Sequence, residues 1–202
     1  MSDHLAPHWD SAALVVIDMQ ADFTGIEGTV EVIPQVGALA SAFRAAGRPI
    51  VHIVRLYAPG SDDIDLPRRA LDNPPVAPGS PGSEIIAGLP GPVPLDPALL
   101  LSGRPQTVGD DEIVLFKPRW GAFYRTDLEA WLRERGVDTV VVAGCNLPNC
   151  PRATLFEASE RDFRTVIVSD AVSQTSGERL ADLASIGVQV LSVGAVADSL
   201  PG

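Results

Sequence analysis

Short apolar runs alternate with amphipathic stretches along this chain, and that alternation limits its possible folds more than any other feature. Ala12–Ile17, Pro49–Val54, Glu112–Phe116, Asp138–Ala143, Arg164–Ser169 and Val188–Val193 read as strands. Between them, Gln35–Ala46 and Asp127–Arg135 read as helices stopped by Gly47 and Gly136. Pro151–Asp162 and Glu178–Ser185 read as two more, the last ending before Gly187. Strands this apolar are covered on both faces, which is the habit of parallel sheets sandwiched by helices. The expected fold is therefore α/β, a doubly wound three-layer sandwich with a six-stranded, mainly parallel sheet, built as one domain over 1–202. In such sheets ligands bind beyond the carboxyl ends of the strands.

One segment departs from the alternation. Leu56–Asp110 holds eleven of the 18 prolines, with PPVAPGSPGS and LPGPVPLDP inside it. A connection this long is seldom idle. The turns Asp65-Leu66-Pro67-Arg68-Arg69 and Pro78-Gly79-Ser80 suggest an ordered excursion that covers the sheet edge or the active site. Its apolar residues Ile64, Leu66, Ile85, Ile86, Leu89, Leu99 and Leu100 need a surface, either the cleft or a second subunit.

Bulk properties narrow the partners. With 202 residues, 46% of them hydrophobic, the chain is long enough for a sizeable core. A formal charge of −11 argues against nucleic acid, which needs a cationic face. No stretch approaches the roughly 20 apolar residues of a membrane span. The segment Met1–Asp10 lacks the basic start and apolar run of a signal peptide. Two cysteines, Cys145 and Cys150, make no disulfide framework, so free thiols in the cytoplasm are expected. The three histidines, His4, His8 and His52, are too few and too scattered for a histidine metal site.

Three polar residues follow predicted strands: Asp18 after Ala12–Ile17, Lys117 after Glu112–Phe116, and Cys150 a short turn after Asp138–Ala143. A fold that binds ligands at strand ends gathers all three into one cleft. Pro151 suits the first position of a helix, which puts Cys150 at the N-cap, at the positive end of the helix dipole. A thiol with an ordinary pKa of about 8.5 is depressed there, and further by cations such as Lys117 and Arg152. Taken singly, Cys150 reads equally as a small buried hydrophobe, Asp18 as a turn residue and Lys117 as a solvated charge.

The sequence Asp18-Met19-Gln20-Ala21-Asp22-Phe23 after an apolar strand resembles the opening signature of the isochorismatase-like cysteine hydrolases. Phe116-Lys117-Pro118-Arg119-Trp120-Gly121-Ala122-Phe123 resembles their lysine motif. Gly144-Cys145-Asn146-Leu147-Pro148-Asn149-Cys150 resembles their nucleophile loop. The match runs in order over nearly the whole chain. The resemblance implies a catalytic trio in which Cys150 attacks a carbonyl carbon, Asp18 moves the proton and Lys117 holds Asp18. It also implies a cis peptide at Cys145–Asn146 that aims the backbone N–H groups of Asn146 and Cys150 at the oxyanion, and an oligomer, dimer or tetramer.

Departures from the pattern are informative as well. Nicotinamidases of this superfamily carry an Asp-x-His metal pair near the end of the second strand. Here that region reads Val51-His52-Ile53-Val54-Arg55-Leu56-Tyr57, so neither metal nor any other cofactor is expected. Asn146, Pro148 and Asn149 replace the usual small, threonine-containing run. A cysteine favours C–N hydrolysis of a small amide, ureido or carbamoyl compound. Isochorismate-type vinyl ether hydrolysis, which a Cys150→Ser variant would retain, is the alternative enzyme reading. A silent binding protein and a Cys145/Cys150 redox pair are the others. Arg55, Arg68, Arg69, Arg119 and Arg152 lie near the proposed cleft. Arg119 and Arg152 are the candidates to bind a substrate carboxylate, while Arg68 and Arg69 read rather as partners of surface acids; Trp120 and Phe123 read as pocket walls or equally as core residues.

Overall fold

The computed structural model describes residues 3–72, 74–89 and 93–202, so Met1, Ser2, Asn73 and part of the LPGPVPLDP stretch lie outside the described residues. Its strands are β1 (Ala12–Ile17), β2 (Ile50–Val54), β3 (Gln106–Gly109), β4 (Glu112–Phe116), β5 (Thr139–Gly144), β6 (Arg164–Val172) and β7 (Gln189–Leu191). The main helices are α1 (Thr29–Ala45), α4 (Leu128–Glu134), α5 (Cys150–Ser159) and α6 (Gly177–Ser185). Short ones are α2 (Leu66–Arg69), α3 (Pro97–Leu101) and α7 (Val193–Ala197).

The sheet has seven strands in the order β3-β4-β2-β1-β5-β6-β7, one more than the sequence suggests. The added strand, β3, pairs antiparallel to β4 at the edge. It escapes sequence reading because its four residues, QTVG, form no apolar run. All other pairings are parallel. The chain winds outward from the middle in both directions, β1 to β2 to β4 on one side and β5 to β6 to β7 on the other. Strands β1 and β5 stay paired to their carboxyl ends, and the connections that leave them run to opposite sides, so a crevice opens there.

Strand β1 shows the three layers in one element. Ala12, Leu14 and Val16 pack with Val36, Leu39, Ala40 and Phe43 of α1 and Val196 of α7. Ala13, Val15 and Ile17 pack on the opposite face with Leu128 and Leu132 of α4, Leu155 of α5 and Leu183 of α6. Alternate side chains of a strand face opposite ways, so an all-apolar strand must be covered on both faces. Burial of such side chains, at roughly 25 cal/mol per Å², is the main stabilising term.

Helix α1 starts six residues earlier than the sequence predicts, and Pro34 lies inside it. Proline removes a helical donor, so it reads as a boundary. Fully buried Thr29 and the packed face of α1 override that preference. At the other end of the chain, Val193, taken as strand in the sequence reading, begins α7, capped by Ser192.

The proline-rich excursion is ordered by caps and by the β1–α1 loop. Asp65, Ser80 and Asp96 each cap a short helical turn with their side chains. Gln20 bridges Ile85 antiparallel, and its side-chain amide donates to the carbonyls of Arg55 and Ser83 at 2.9 and 2.7 Å. Asp22 accepts from the Val76 N–H at 2.6 Å. Of the apolar residues that needed a surface, Ile64, Leu89 and Leu100 are buried within this one chain. Leu66 instead stands 76% exposed. No helix among the described residues is long and apolar enough to cross a membrane.

Candidate active site

Three parallel neighbours each end on a charged residue. Asp18 follows β1, Arg55 follows β2 and Lys117 follows β4. The sheet register levels them: Asp18 N–H donates to the Ile53 carbonyl and Lys117 N–H to the Val54 carbonyl, at 2.9 and 3.0 Å. Asp18 leaves the strand with φ +52, a left-handed conformation that aspartate tolerates better than most residues. On the other side of the switch point, β5 ends at Gly144, whose φ is +114. A Cβ there would lie 2.2 Å from the Ile17 carbonyl oxygen, so only glycine lets the two strand ends approach. The peptide after it, Cys145–Asn146, is cis, as the family resemblance implies.

The chain then turns into α5. Asn149 is the N-cap, Cys150 the first helical residue and Pro151 the second, so the cysteine sits one position inside the cap the sequence suggests. It remains in the first turn, where backbone N–H groups lack helical partners. The Cys150 side chain borders a cavity of about 40 Å³, whose polar side is formed by Asp18, Arg55, Tyr57, Arg68 and Asn146. Trp120, Phe23 and Ile26 supply its apolar wall.

Lys117 is completely buried, and its Nζ donates to Asp18 Oδ2 at 2.7 Å and to the Trp120 carbonyl at 3.0 Å. An unpaired ammonium could not remain there; the carboxylate and carbonyl satisfy it. Asp18 Oδ1 is buried with no hydrogen-bond partner among the described residues, which leaves one oxygen free to take a proton.

The state of the thiol differs from the sequence expectation. Burial, then the negative charge of Asp18, push the Cys150 pKa up to about 12, against the opposing pull of Lys117. The helix terminus alone suggested the reverse. What the sequence does not display is how little water reaches the sulfur and how close the carboxylate is. Cys145 is the second thiol, buried beneath the cavity, where it accepts from the Thr29 hydroxyl at 3.2 Å. Its pKa is raised chiefly by burial.

Of the predicted wall residues, Trp120 lines the cavity and three do not. Arg119 turns away, donating to the carbonyls of Asp62, Asp63 and Pro118. Phe123 is buried in the core, with its ring 5.6 Å from that of Phe163. Arg152 lies over Phe156 on α5. Each was placed by proximity in sequence to Lys117 or Cys150, which does not fix the direction of a side chain. The cavity instead receives Arg55, Arg68 and Tyr57. Arg55 carried the same signal as Asp18 and Lys117, being the first charged residue after a parallel strand; Tyr57 carried none.

Comparison with known proteins agrees with this arrangement. Residues 12–198 match the isochorismatase domain. An Escherichia coli O157:H7 protein described as an uncharacterized isochorismatase family protein is 39% identical, covering 84% of this chain and 83% of its own length. A probable inactive nicotinamidase of Arabidopsis thaliana is 30% identical over 92% and 94% of the two chains. A maleamate amidohydrolase of Pseudomonas putida is 29% identical over 84% and 74%. Among solved structures, an isochorismatase family protein from Desulfovibrio vulgaris superposes with TM-score 0.79 at 31% identity, covering 93% and 97%. The N-carbamoylsarcosine amidase of Thermoplasma acidophilum superposes with TM-score 0.73 at 26% identity, covering 95% and 99%. With its strand-end trio, its cis turn and a match across nearly its full length, the chain belongs to the isochorismatase family and is a hydrolase.

Proposed function

We propose that the protein is a cysteine hydrolase that cleaves the C–N bond of a small amide, ureido or carbamoyl compound through a thioester. One observation carries this reading: the Cys150 thiol borders the same small cavity as Asp18, whose carboxylate is fixed by Lys117 and keeps one oxygen free. Because the resting thiol is protonated, the nucleophile forms only as the substrate is attacked. Asp18 takes the S–H proton while sulfur adds to the carbonyl carbon. The oxyanion is received by the backbone N–H groups of Asn146 and Cys150. Collapse breaks the C–N bond, and Asp18 returns its proton to the leaving nitrogen. Water, deprotonated by Asp18, then adds to the thioester, and the acid leaves as Cys150 regains its proton. Lys117 holds Asp18 in place throughout.

Relatives named for amide and carbamoyl substrates support C–N cleavage. The end of β2 does not suit a metal ion. Arg55 and Tyr57 stand there bonded to each other, Nη2 to hydroxyl at 2.9 Å, and a cation would meet a fixed positive charge. The test is ammonia release from a panel of small amides, ureas and carbamoyl compounds by wild type, Cys150→Ala and Asp18→Asn. Turnover that survives in either variant sinks the mechanism. A homo-oligomer, dimer or tetramer, working in the cytoplasm, completes the reading. Exposed Leu66 and Leu71 on the excursion suit a subunit contact, and a monomer by light scattering would remove that part.

A further inference from the structure

The side of the cavity facing Cys150 is more elaborate than a hydrolytic trio requires. Arg55 is only 2% exposed, although it carries a permanent charge. Its Nε and Nη2 donate to the Tyr57 hydroxyl at 3.1 and 2.9 Å, and Nη2 also pairs with Asp65. Nη1 is buried with no partner among the described residues. A charged donor left unpaired in the interior is costly, and native structures seldom keep one without a role. Tyr57 is likewise buried, and its oxygen accepts both contacts from Arg55, so its own O–H proton remains to be donated. Burial, opposed by Arg55, raises the phenol pKa further and keeps that proton in place. Arg68 also borders the cavity, and its side chain has no ion-pair partner among the described residues. Asp18 answers Lys117 and Asp65 answers Arg55, so Arg68 leaves the cavity with one uncompensated positive charge. The chain as a whole has a formal charge of −11, so this positive lining is a local construction.

We infer that Arg55, Tyr57 and Arg68 form the anchor for a substrate carboxylate, so that the cavity selects small acids bearing the scissile amide, ureido or carbamoyl group over neutral compounds of the same shape. Two carboxylate oxygens match donors carried by separate side chains that line the one cavity, Arg55, Tyr57 and Arg68. Asp65 and Tyr57 orient the guanidinium before the substrate arrives, so little order remains to be imposed on binding.

This assignment deepens the proposed C–N hydrolysis and rests on it for the substrate class. The test therefore reads binding separately from turnover. Small amide, ureido and carbamoyl acids are each paired with their methyl esters, which remove the charge and add one methyl; the part of the gap due to that methyl persists in Arg68→Gln, and the part due to charge does not. Calorimetry on Cys150→Ala protein reads affinity, and ammonia release by wild type reads kcat/KM. The acids are expected to bind about tenfold to a hundredfold more tightly than their esters, the range for hydrogen bonds to a charged group. In Arg68→Gln, which can fold without the buried Arg55 network being touched, that gap narrows through affinity and KM. Equal binding of acid and ester, tighter binding of the ester, an unchanged gap in Arg68→Gln, or no binding of either form overturns the anchor. Preferential binding of the acids without ammonia release would instead remove the proposed hydrolysis and leave the anchor standing.

Discussion

Replacing Asp18 with asparagine should move the two activities of Cys150 in opposite directions. In the wild type, burial and then the Asp18 charge hold the thiol pKa up to about 12. A free cysteine titrates near 8.5. At pH 8 the thiolate fraction is then about 10⁻⁴, against roughly a quarter for a free thiol. Alkylation by iodoacetamide should be slower than for free cysteine by about 10³-fold and should rise about tenfold per pH unit, without a plateau, between roughly pH 6 and 10. The Asp18→Asn change removes the second-largest cause of the elevation. Thiolate becomes easier to form, so alkylation accelerates. Hydrolysis nevertheless falls by about 10²–10⁴, because the proton acceptor is gone. Pseudo-first-order labelling at fixed ionic strength, read by peptide mass spectrometry, separates Cys150 from Cys145. A wild-type plateau at or below pH 8, or slower labelling in Asp18→Asn, would refute the claim that attack depends on Asp18 and not on a preformed thiolate.

Three further outcomes are expected. Burial pushes the Glu112 pKa up, but hydrogen bonds from Arg44 and His52 outweigh it and hold the carboxylate at about 2, below its ordinary value of 4.5. Its contribution is therefore present above about pH 4.5 and lost as pH falls toward 2. Glu112→Gln should cost about 3 kcal/mol near pH 7 by urea denaturation, with the difference shrinking toward pH 2; a pH-independent difference contradicts this. Gly144→Ala places a methyl 2.2 Å from the Ile17 carbonyl at a residue with φ +114. It should destabilise by more than about 3 kcal/mol and abolish turnover, and a wild-type Tm would show that β1 and β5 do not need that approach. Dialysis against a strong chelator should leave kcat unchanged, since Arg55 and Tyr57 occupy the end of β2; a loss restored by zinc, manganese or iron would overturn that reading.

The layered α/β plan was legible in the sequence because it rests on local pattern. Six short apolar runs can only be strands covered on both faces, and glycines mark where the intervening helices stop. The same reading misses β3, since an edge strand faces partly to solvent and needs no apolar run. It also shortens α1, because the break that Pro34 signals locally is overridden by packing on the sheet. At the site, strand-end placement gathered Asp18, Lys117 and Cys150 into one cleft, and the resemblance of their three motifs to the isochorismatase-like cysteine hydrolases singled them out. Side-chain direction and solvent access are different quantities. They are properties of the assembled cleft, set by residues distant in sequence. Tertiary structure alone turned Arg119, Phe123 and Arg152 out of the cavity, brought Tyr57 into it, and chose Arg55 and Arg68 among the nearby arginines. It alone decided that the thiol is held protonated, because the helix terminus that favours thiolate is local, whereas the burial that opposes it belongs to the assembled cleft and the Asp18 carboxylate comes from the end of β1.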